Sequence, residues 1–265
     1  MIFLSSPFAE AWKDKDPFEE IKKIQGKTYR EVATRQTLNF KFKGESFYIK
    51  MHHGTSLKEV LKNLICLRMP VLGARNEFEA IKRLHELGVS TMEIAAFGER
   101  GINPLRKESF IITRDLNPAI SLEDFCRDWN INPPSYSVKK KLIEKVAIMV
   151  RGMHQGGVNH RDCYICHFLL KFPFNLKKEP NLAVIDLHRA QIRNSVPKRW
   201  RDKDIIALFF STRSIGLNYK DYLRFAKVYF GNSKLKNILK KESKLISKLE
   251  SKSRIIEERT QRKRL

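Results

Sequence analysis

Two aspartates stand beside residues that would fix their positions. Asp162 follows His160 and Arg161 directly after a helical segment, and Asp186 closes an apolar, strand-like run further along the chain. Phosphoryl transfer to a hydroxyl group needs one carboxylate to orient the acceptor and another to hold a metal ion. The pattern therefore predicts a kinase, in which Asp162 is the catalytic base and Asp186 the metal ligand. The His160 ring would pack under the loop, and Arg161 would fix its backbone.

A lysine and a glutamate upstream add a second part of the same machinery. Alternating apolar residues predict a β-hairpin whose second strand ends at Lys50, and helical spacing predicts a helix over 74–87. Glu77 shares a face of this helix with Ile81 and Leu84, and a carboxylate on an apolar face needs a cation. A solvent-facing lysine is the ordinary alternative for Lys50. Together with the two aspartates, the pattern favours a Lys50–Glu77 ion pair that presents the ammonium group to nucleotide phosphates.

The composition allows a sizeable core and favours an anionic partner. Of the 265 residues, 42% are hydrophobic, and 52 Lys+Arg against 29 Asp+Glu give a net charge of +23. This charge suits nucleic acid, an anionic membrane surface, a phosphorylated glycolipid or an acidic protein. No apolar run approaches the roughly 20 residues that span a bilayer, and the apolar start of the chain is too short for a signal peptide. We therefore expect a cytoplasmic protein.

The order of the predicted elements sets the fold class and the domain limits. Strand patterns with two helices, at 56–68 and 74–87, precede a mainly helical region. This predicts an α+β, bilobal protein: an N-terminal lobe with an antiparallel sheet over 1–114 and a larger catalytic lobe over 115–232. A basic helical extension follows over 233–265. Its apolar stripe would either lie on an anionic leaflet or pack on the large lobe, and both alternatives stay open.

Four runs of residues resemble a known enzyme family. They are PVLGARNE (70–77), NHRDCYICH (159–167), IDLHRA (185–190) and RWRDKD (199–204). From about residue 7 to 231, the chain is similar to the lipopolysaccharide core heptose(I) kinases of Gram-negative bacteria, and His160-Arg161-Asp162 resembles the catalytic loop of protein-kinase-like enzymes. The resemblance implies a protein-kinase-like fold and the use of ATP and Mg²⁺.

The same resemblance implies the acceptor and the partners. The terminal phosphoryl group of ATP would move to the 4-hydroxyl group of the first heptose of the inner core, so a lipopolysaccharide core glycolipid is the expected acceptor. Acylated acyl carrier protein is a further implied partner, peripheral contact with the inner face of the inner membrane is compatible with the charge, and no nucleic acid is expected. Asp204 would support the catalytic loop.

Departures from the protein-kinase pattern have physical consequences. His167 stands where protein kinases place a metal-binding asparagine after the catalytic aspartate, and because an imidazole is a poor Mg²⁺ ligand, we expect it to position phosphate. No glycine-rich loop precedes Lys50, and residues 33–36 occupy the predicted turn. The phosphates would therefore meet a less flexible backbone. Tyr48 replaces the small residue that usually covers the adenine.

The short segment after Asp186 bears on the acceptor. Only residues 187–201 separate it from an apolar helix predicted to begin at Asp202, which leaves little room for a peptide-docking platform. Basic residues in this region form a candidate acceptor site, with a solvated charged face as the alternative. The members of this basic cluster are Arg189, Arg193, Lys198, Arg199 and Arg201.

Other functions stay open from the sequence alone. A protein kinase is one, and a non-catalytic basic scaffold with a degenerate kinase fold is another, favoured by His167 and by the missing glycine-rich loop. Cys163 and Cys166, flanked by histidines, also suit a zinc or redox site. Structural zinc normally needs a second cysteine pair of similar spacing, which the sequence does not offer.

Overall fold

The chain forms two compact units. The computed structural model describes residues 1–32, 35–54, 73–103, 106–175, 178–231 and 234–261. The sheet unit comprises Met1–Lys82, Met92–Leu116 and Leu187–Arg189, and the helical unit comprises Arg83–Thr91, Asn117–Asp186 and Ala190–Leu265. The predicted domain limits at residues 114 and 232 stay predictions.

The sheet unit is built on one antiparallel sheet. Its strands are β1 Ile2–Leu4, β2 Lys27–Val32, β3 Arg35–Phe42, β4 Glu45–His53, β5 Ile94–Arg100 and β6 Glu108–Arg114. Its helices are α1 Phe8–Ala11, α2 Pro17–Lys22 and α3 Arg75–Glu86, the last of which ends in the helical unit. The strand order is β1-β5-β6-β4-β3-β2. The predicted helix at 56–68, with Cys66 in it, lies outside the described residues.

The predicted hairpin is present as β3 and β4. Its turn consists of Lys43 and Gly44, whose φ angles of 46° and 84° suit a two-residue hairpin loop. The prediction that residues 33–36 form the preceding turn is wrong for its second half, because Arg35 and Gln36 already pair with both flanking strands of the sheet. Ala33 and Thr34 lie outside the described residues. Arg35 is therefore a strand residue.

Side chains alternate along a strand, so one face of β4 packs in the core and the other carries polar residues. Phe47 and Ile49 are fully buried in a core with Phe8 from α1. The opposite face carries Lys50 and His52. Packing on one face thus fixes the direction in which the polar residues of the other face point.

The helical unit contains the longer helices and two small sheets. Its helices are α4 Leu122–Phe125, α5 Tyr136–Gln155, α6 Lys198–Thr212, α7 Tyr219–Tyr229, α8 Leu235–Lys241 and α9 Ser243–Gln261. Its strands are β7 Ala119–Ser121, β8 Val158–Asn159, β9 Phe168–Lys171, β10 Leu182–Val184 and β11 Gln191–Ile192. Strands β10, β9 and β7 form one sheet, and β11 and β8 form the other.

The end of α5 delivers the chain to the predicted catalytic loop. Apolar side chains of this helix, among them Leu142, Val146 and Val150, are buried, and the helix is followed by Gly156 and Gly157. Gly157 has a φ angle of 81°, and a Cβ atom there would lie 1.8 Å from the carbonyl oxygen of Arg193. Only glycine lets the chain turn at this point into β8, which pairs with β11 beside Arg193.

The C-terminal extension packs on the helical unit. Ile238 of α8 and Leu245 of α9 are buried. Both belong to the predicted apolar stripe, whose side chains line an apolar cavity of about 130 Å³ together with residues of α4 to α7. The apolar stripe was predicted either to lie on an anionic leaflet or to pack on the large lobe. The structure shows it packed against the other helices of the helical unit. Among the described residues, no helix combines the length and the apolar character needed to cross a bilayer.

Candidate functional site

Lys50 and Glu77 form the predicted ion pair in the sheet unit. The Nζ atom of Lys50 lies 2.7 Å from Oε1 of Glu77, and the Glu77 side chain is 1% exposed. The start of α3 is anchored to β6, because the Ala74 N–H donates to Ser109 Oγ at 3.0 Å. A carboxylate this buried is stable as an anion only beside its cation. The pair therefore holds the lysine ammonium group at a fixed point on the polar face of β4.

His52 is a buried neighbour of Lys50 that the sequence did not reveal. Its Nε2 atom has no hydrogen-bond partner. Burial, followed by the charges of Arg35, Lys50 and His188, lowers the pKa of His52 to about 3. The ring is therefore neutral at physiological pH, and it adds a polar group to the face of the sheet that carries Lys50.

Tyr48 is held on the same face by polar neighbours. Its ring lies 5.3 Å from that of Tyr29. Burial, the hydrogen bond with Tyr29 and the nearby Asp115 carboxylate raise the pKa of Tyr48 well above its ordinary value. Ser46 Oγ in turn donates to Asp115 Oδ2 at 2.8 Å. These contacts fix the tyrosine that stands where protein kinases place a small residue over the adenine.

The loop at Asp162 is fastened to α6 by Asp204. One carboxylate oxygen of Asp204 accepts from the backbone N–H of His160 at 2.7 Å, and the other accepts from that of Arg161 at 2.8 Å. The Asp204 side chain is fully buried. The predicted contact between Asp204 and the loop is present, and it lies in the residues that immediately precede Asp162.

His160 connects this loop to the chain that carries Asp186. Its Nε2 atom lies 3.0 Å from the carbonyl oxygen of Ile185, so Nε2 carries the hydrogen and donates. Burial is the main cause that lowers the pKa of His160, which keeps the ring neutral. Arg161 and Asp186 have φ angles of 71° and 59°, a region rare for residues other than glycine. Such backbone persists only where neighbouring contacts impose it, as they do here.

His167 lies between the two aspartates. Its Nδ1 atom is 2.7 Å from the carbonyl oxygen of Asp162, so Nδ1 carries a hydrogen, and Nε2 lies 3.7 Å from Oδ2 of Asp186. In the neutral ring the Nε2 lone pair would then face a carboxylate, an arrangement that a cation stabilises. The described residues hold no group of three or more His, Cys, Asp or Glu side chains arranged for a metal ion. Mg²⁺, however, is commonly held by one or two carboxylates, water and substrate phosphates, so the donor set at Asp186 fits it.

A buried histidine on α5 supports Asp204 from behind. His154 Nε2 lies 3.1 Å from Asp204 Oδ2 and therefore donates to it, and His154 Nδ1 accepts from the Tyr229 hydroxyl at 2.6 Å. Sequence reasoning assigned His154 no role. The signal was a histidine on the buried side of an otherwise apolar helix, a position that requires a polar partner.

Three members of the predicted basic cluster make polar contacts of two kinds. Lys198 and Arg201 form ion pairs with Asp202 and Glu242. Arg193 instead donates to two neutral oxygens, Asn159 Oδ1 at 2.6 Å and Gln191 Oε1 at 2.7 Å. The charges of Lys198 and Arg201 are thus balanced by neighbouring carboxylates. The two hydrogen bonds of Arg193 are to neutral oxygens and do not balance its charge.

The two cysteines near Asp162 are reduced. Cys163 is fully buried and Cys166 is half-buried. Burial raises the pKa of both thiols, that of Cys166 to about 11. Because the thiolate is the form that binds metal and reacts with disulfides, this environment disfavours the zinc and redox alternatives.

Comparisons with known proteins place the chain in a family. A family model described as "Lipopolysaccharide kinase (Kdo/WaaP) family" matches residues 19–229. A protein of Escherichia coli named "Lipopolysaccharide core heptose(I) kinase WaaP" is 58% identical, covering 100% of both chains. A Pseudomonas aeruginosa protein of the same name is 48% identical and covers 98% of this chain and 97% of its own.

A solved structure resembles the chain over nearly its whole length. The structure "WaaP in complex with acyl carrier protein" has a TM-score of 0.85 and 45% identity, and covers 96% of this chain and 98% of that one. This agreement confirms the predicted α+β, kinase-like fold class. The chain belongs to the lipopolysaccharide kinase (Kdo/WaaP) family.

Proposed function

We propose that this protein transfers the terminal phosphoryl group of ATP to the 4-hydroxyl group of heptose I in the lipopolysaccharide inner core. Full-length relatives that carry the name of this activity are 48% and 58% identical to the chain. The observation that carries the proposal is the loop at Asp162. Asp204 holds two of its backbone N–H groups, and His160 ties it to the residue before Asp186.

Asp162 serves the acceptor in this proposal. The sugar hydroxyl oxygen forms a bond to the terminal phosphorus as the bond to the ADP oxygen breaks, and Asp162 orients the hydroxyl group and accepts its proton. The contact from His167 Nδ1 to the Asp162 carbonyl oxygen limits movement of this residue. Little covalent chemistry is required of the protein, so its main contribution is positioning.

The remaining residues serve the nucleotide. Lys50, fixed by Glu77, binds ATP phosphate oxygens as a point charge. Asp186 is the protein ligand for Mg²⁺, which, when bound, neutralises charge on the phosphates. His167 donates its Nδ1–H to the Asp162 carbonyl oxygen and so restrains the loop at Asp162. We therefore assign His167 to positioning this loop, and the phosphate contact expected from the sequence stays a prediction.

The test is phosphate incorporation into a heptose-containing core glycolipid that lacks phosphate on the heptose. Wild type should incorporate label from ATP, and Asp162→Asn and Asp186→Asn should lose at least about 100-fold in kcat, since each removes a group that acts in the transition state. Asp128→Asn, at an exposed position of the helical unit, is the matched control and should behave as wild type. The product is mapped by NMR to identify the phosphorylated hydroxyl.

Two results would reject the proposal. Equal incorporation by wild type and both aspartate variants would show that these residues are not the machinery. Faster phosphorylation of a peptide than of the glycolipid would favour a protein kinase instead. Phosphate found on another hydroxyl group would overturn only the 4-position.

We also propose acylated acyl carrier protein as a partner, with its acyl chain in the apolar cavity of the helical unit. The solved relative is described in complex with acyl carrier protein. Side chains such as Val146 of α5, Leu208 of α6, Phe225 of α7 and Leu249 of α9 line the cavity of about 130 Å³. Empty apolar cavities of this size cost a protein roughly 3 kcal/mol, so an alkyl chain should stabilise the fold by filling it. The net charge of +23 suits an acidic protein.

A thermal unfolding experiment tests the acyl chain directly. Palmitoylated carrier protein should raise the Tm of this protein, whereas the carrier with a free phosphopantetheine thiol should raise it less. Val146→Phe should raise the Tm without any ligand and abolish the acyl-dependent part of the shift. Equal shifts with both forms of the carrier would place the acyl chain elsewhere.

A further inference from the structure

Polar side chains form rows across β3 and β4 on the face of the sheet that carries Lys50. Residues paired directly in antiparallel strands point to the same face, with their Cβ atoms about 5 Å apart. The rows consist of Asn39 with Tyr48, Thr37 with Lys50, and Arg35 with His52. The opposite face of both strands is buried in the core of the sheet unit. Arg35 therefore lies on the same face as Lys50, one row further along.

The chemical character of this face changes from row to row. The first row is aromatic, because the ring of Tyr48 lies 5.3 Å from that of Tyr29. Lys50 follows in the second row and Arg35 in the third. Burial, then the charge of Arg35 and that of Lys50, lower the pKa of His52 to about 3, so both cations lie near this ring. With rows about 7 Å apart along the strand, the face runs from aromatic to cationic in the order in which a nucleotide presents its base and its phosphates.

Lys50 alone supplies little net charge for a triphosphate. Its ammonium group pairs with the buried Glu77 carboxylate at 2.7 Å, so the pair as a whole is neutral. In protein kinases a glycine-rich loop also covers the phosphates. No glycine-rich loop precedes Lys50 in this chain. A further donor on the same face would do the work of such a loop.

Arg35 has the chemistry and the placement of this donor. Diagonal neighbours on paired strands are about 7–8 Å apart, a distance from which the long side chains of Arg35 and Lys50 can reach adjacent phosphate groups. A guanidinium group can bind two phosphate oxygens at once, whereas an ammonium group acts as a point charge. Strand pairing on both sides, with Val32 and with His52, fixes the Arg35 backbone and lowers the conformational entropy lost on binding.

We propose that Arg35 binds the terminal phosphates of the nucleotide and replaces the glycine-rich loop of protein kinases in this role. The inference rests on the function proposed above and concerns the part of ATP that AMP lacks. Counted from the aromatic row at Tyr48, Lys50 comes before Arg35, which assigns the guanidinium group to the phosphates farther from the base. Arg35 is thus a substrate-binding residue that selects for a triphosphate.

Equilibrium binding of a nucleotide series, with Mg²⁺ present and without acceptor, tests this assignment. Wild type should bind ATP more tightly than ADP, and ADP more tightly than AMP. Arg35→Gln should weaken ATP binding about tenfold and change AMP binding by less than about twofold. Arg35→Lys keeps the charge but not the planar fork, so it should recover part of the loss. Unchanged AMP binding would show that the fold and the base end of the site are intact.

Lys41→Gln is the matched control. Lys41 is exposed and lies on the same strand and the same face as Arg35, six residues or about 20 Å away. This variant should bind every nucleotide as wild type does. The inference is overturned if Arg35→Gln binds ATP as the control does, which would exclude a phosphate contact. It is equally overturned if Arg35→Gln weakens ATP and AMP binding by the same factor, which would make the role of Arg35 structural.

Transfer to the core glycolipid keeps this result distinct from the proposed function. In that assay Arg35→Gln should raise KM for ATP about tenfold and leave KM for the glycolipid within about twofold. ATP binding that depends on Arg35, without transfer to the glycolipid by wild type, would reject the proposed function alone. Transfer by wild type, with ATP binding that does not depend on Arg35, would overturn this inference alone.

Discussion

Replacing Asp204 by asparagine should release the loop at Asp162 and destabilise the helical unit. The buried carboxylate accepts from three donors: the backbone N–H groups of His160 and Arg161 and the Nε2–H of His154. Asparagine keeps one acceptor oxygen and adds an NH₂ group. In either orientation this NH₂ faces one of the two backbone N–H groups, so one buried donor loses its acceptor.

The size of the effect follows from these contacts. An unsatisfied buried N–H costs about 1–3 kcal/mol, and the bonds that remain lose the strength that the negative charge gave them. We expect the free energy of unfolding to fall by about 3 kcal/mol and kcat to fall roughly a hundredfold, because small displacements of a catalytic group have effects of this order. KM for ATP should change little, since Lys50 and Glu77 lie in the sheet unit.

Urea unfolding followed by circular dichroism, and steady-state kinetics with the core glycolipid, measure the two quantities. The exposed Asp128→Asn variant controls for the chemical change and should stay within about 0.5 kcal/mol of wild type. An Asp204→Asn protein that loses less than about 1 kcal/mol and keeps the wild-type kcat would refute the role given to this carboxylate. A loss of stability with normal kcat would refute the inference that the hydrogen bonds of Asp204 position Asp162.

Three further perturbations address other parts of the molecule. Glu77→Gln removes the charge that holds its lysine partner, so KM for ATP should rise about tenfold, and an unchanged KM would contradict the role of the pair. His52 has a folded pKa of about 3, against about 6.5 when unfolded, so its contribution to stability is complete above pH 6.5 and is lost as the pH falls towards 3. In the His52→Gln variant, the urea midpoint should therefore fall less between pH 7 and 4.5 than it does in wild type. An equal fall in both proteins would contradict this assignment. Gly157→Ala would place its Cβ against the Arg193 carbonyl oxygen and should cost about 3 kcal/mol, whereas Gly88→Ala, which has open space at its Cβ, should cost only about 1 kcal/mol in urea unfolding. Equal costs would contradict the steric argument.

Local periodicity was enough to predict the elements that carry the site. The alternation around Lys50 and the helical spacing around Glu77 are short-range signals, and both elements form. The predicted strand end at Lys50 was wrong, because β4 continues to His53. The ion pair of Lys50 and Glu77 could also be inferred, because a carboxylate on an apolar helix face must find a cation. The predicted helix start at Asp202 was late, since α6 begins at Lys198. Basic residues without a polar N-cap gave no signal there.

Contacts between distant parts of the sequence were not predictable in the same way. His154 and Tyr229 are 75 positions apart, and nothing local to either one indicates the other. Arg161, Arg193 and Lys203 lie within about 6 Å of the Trp200 ring, yet they come from the loop at Asp162, from the segment after β11 and from α6, so their convergence is a property of the fold. The sequence showed that this region is basic. It could not show that Lys198 and Arg201 pair with Asp202 and Glu242.

The buried network behind Asp204 links two features of the helical unit that are otherwise separate. Tyr229 donates to His154, which donates to Asp204, and each of these polar side chains has a desolvation cost that an apolar core would avoid. What the network provides in return is a fixed carboxylate under the loop at Asp162. Tyr229 belongs to α7, whose Phe225 also lines the apolar cavity and stacks on the Tyr229 ring with centroids 5.7 Å apart. Whatever fills the cavity therefore stabilises the helix that holds the network, so a ligand that stabilises α7 should also make the loop at Asp162 more ordered.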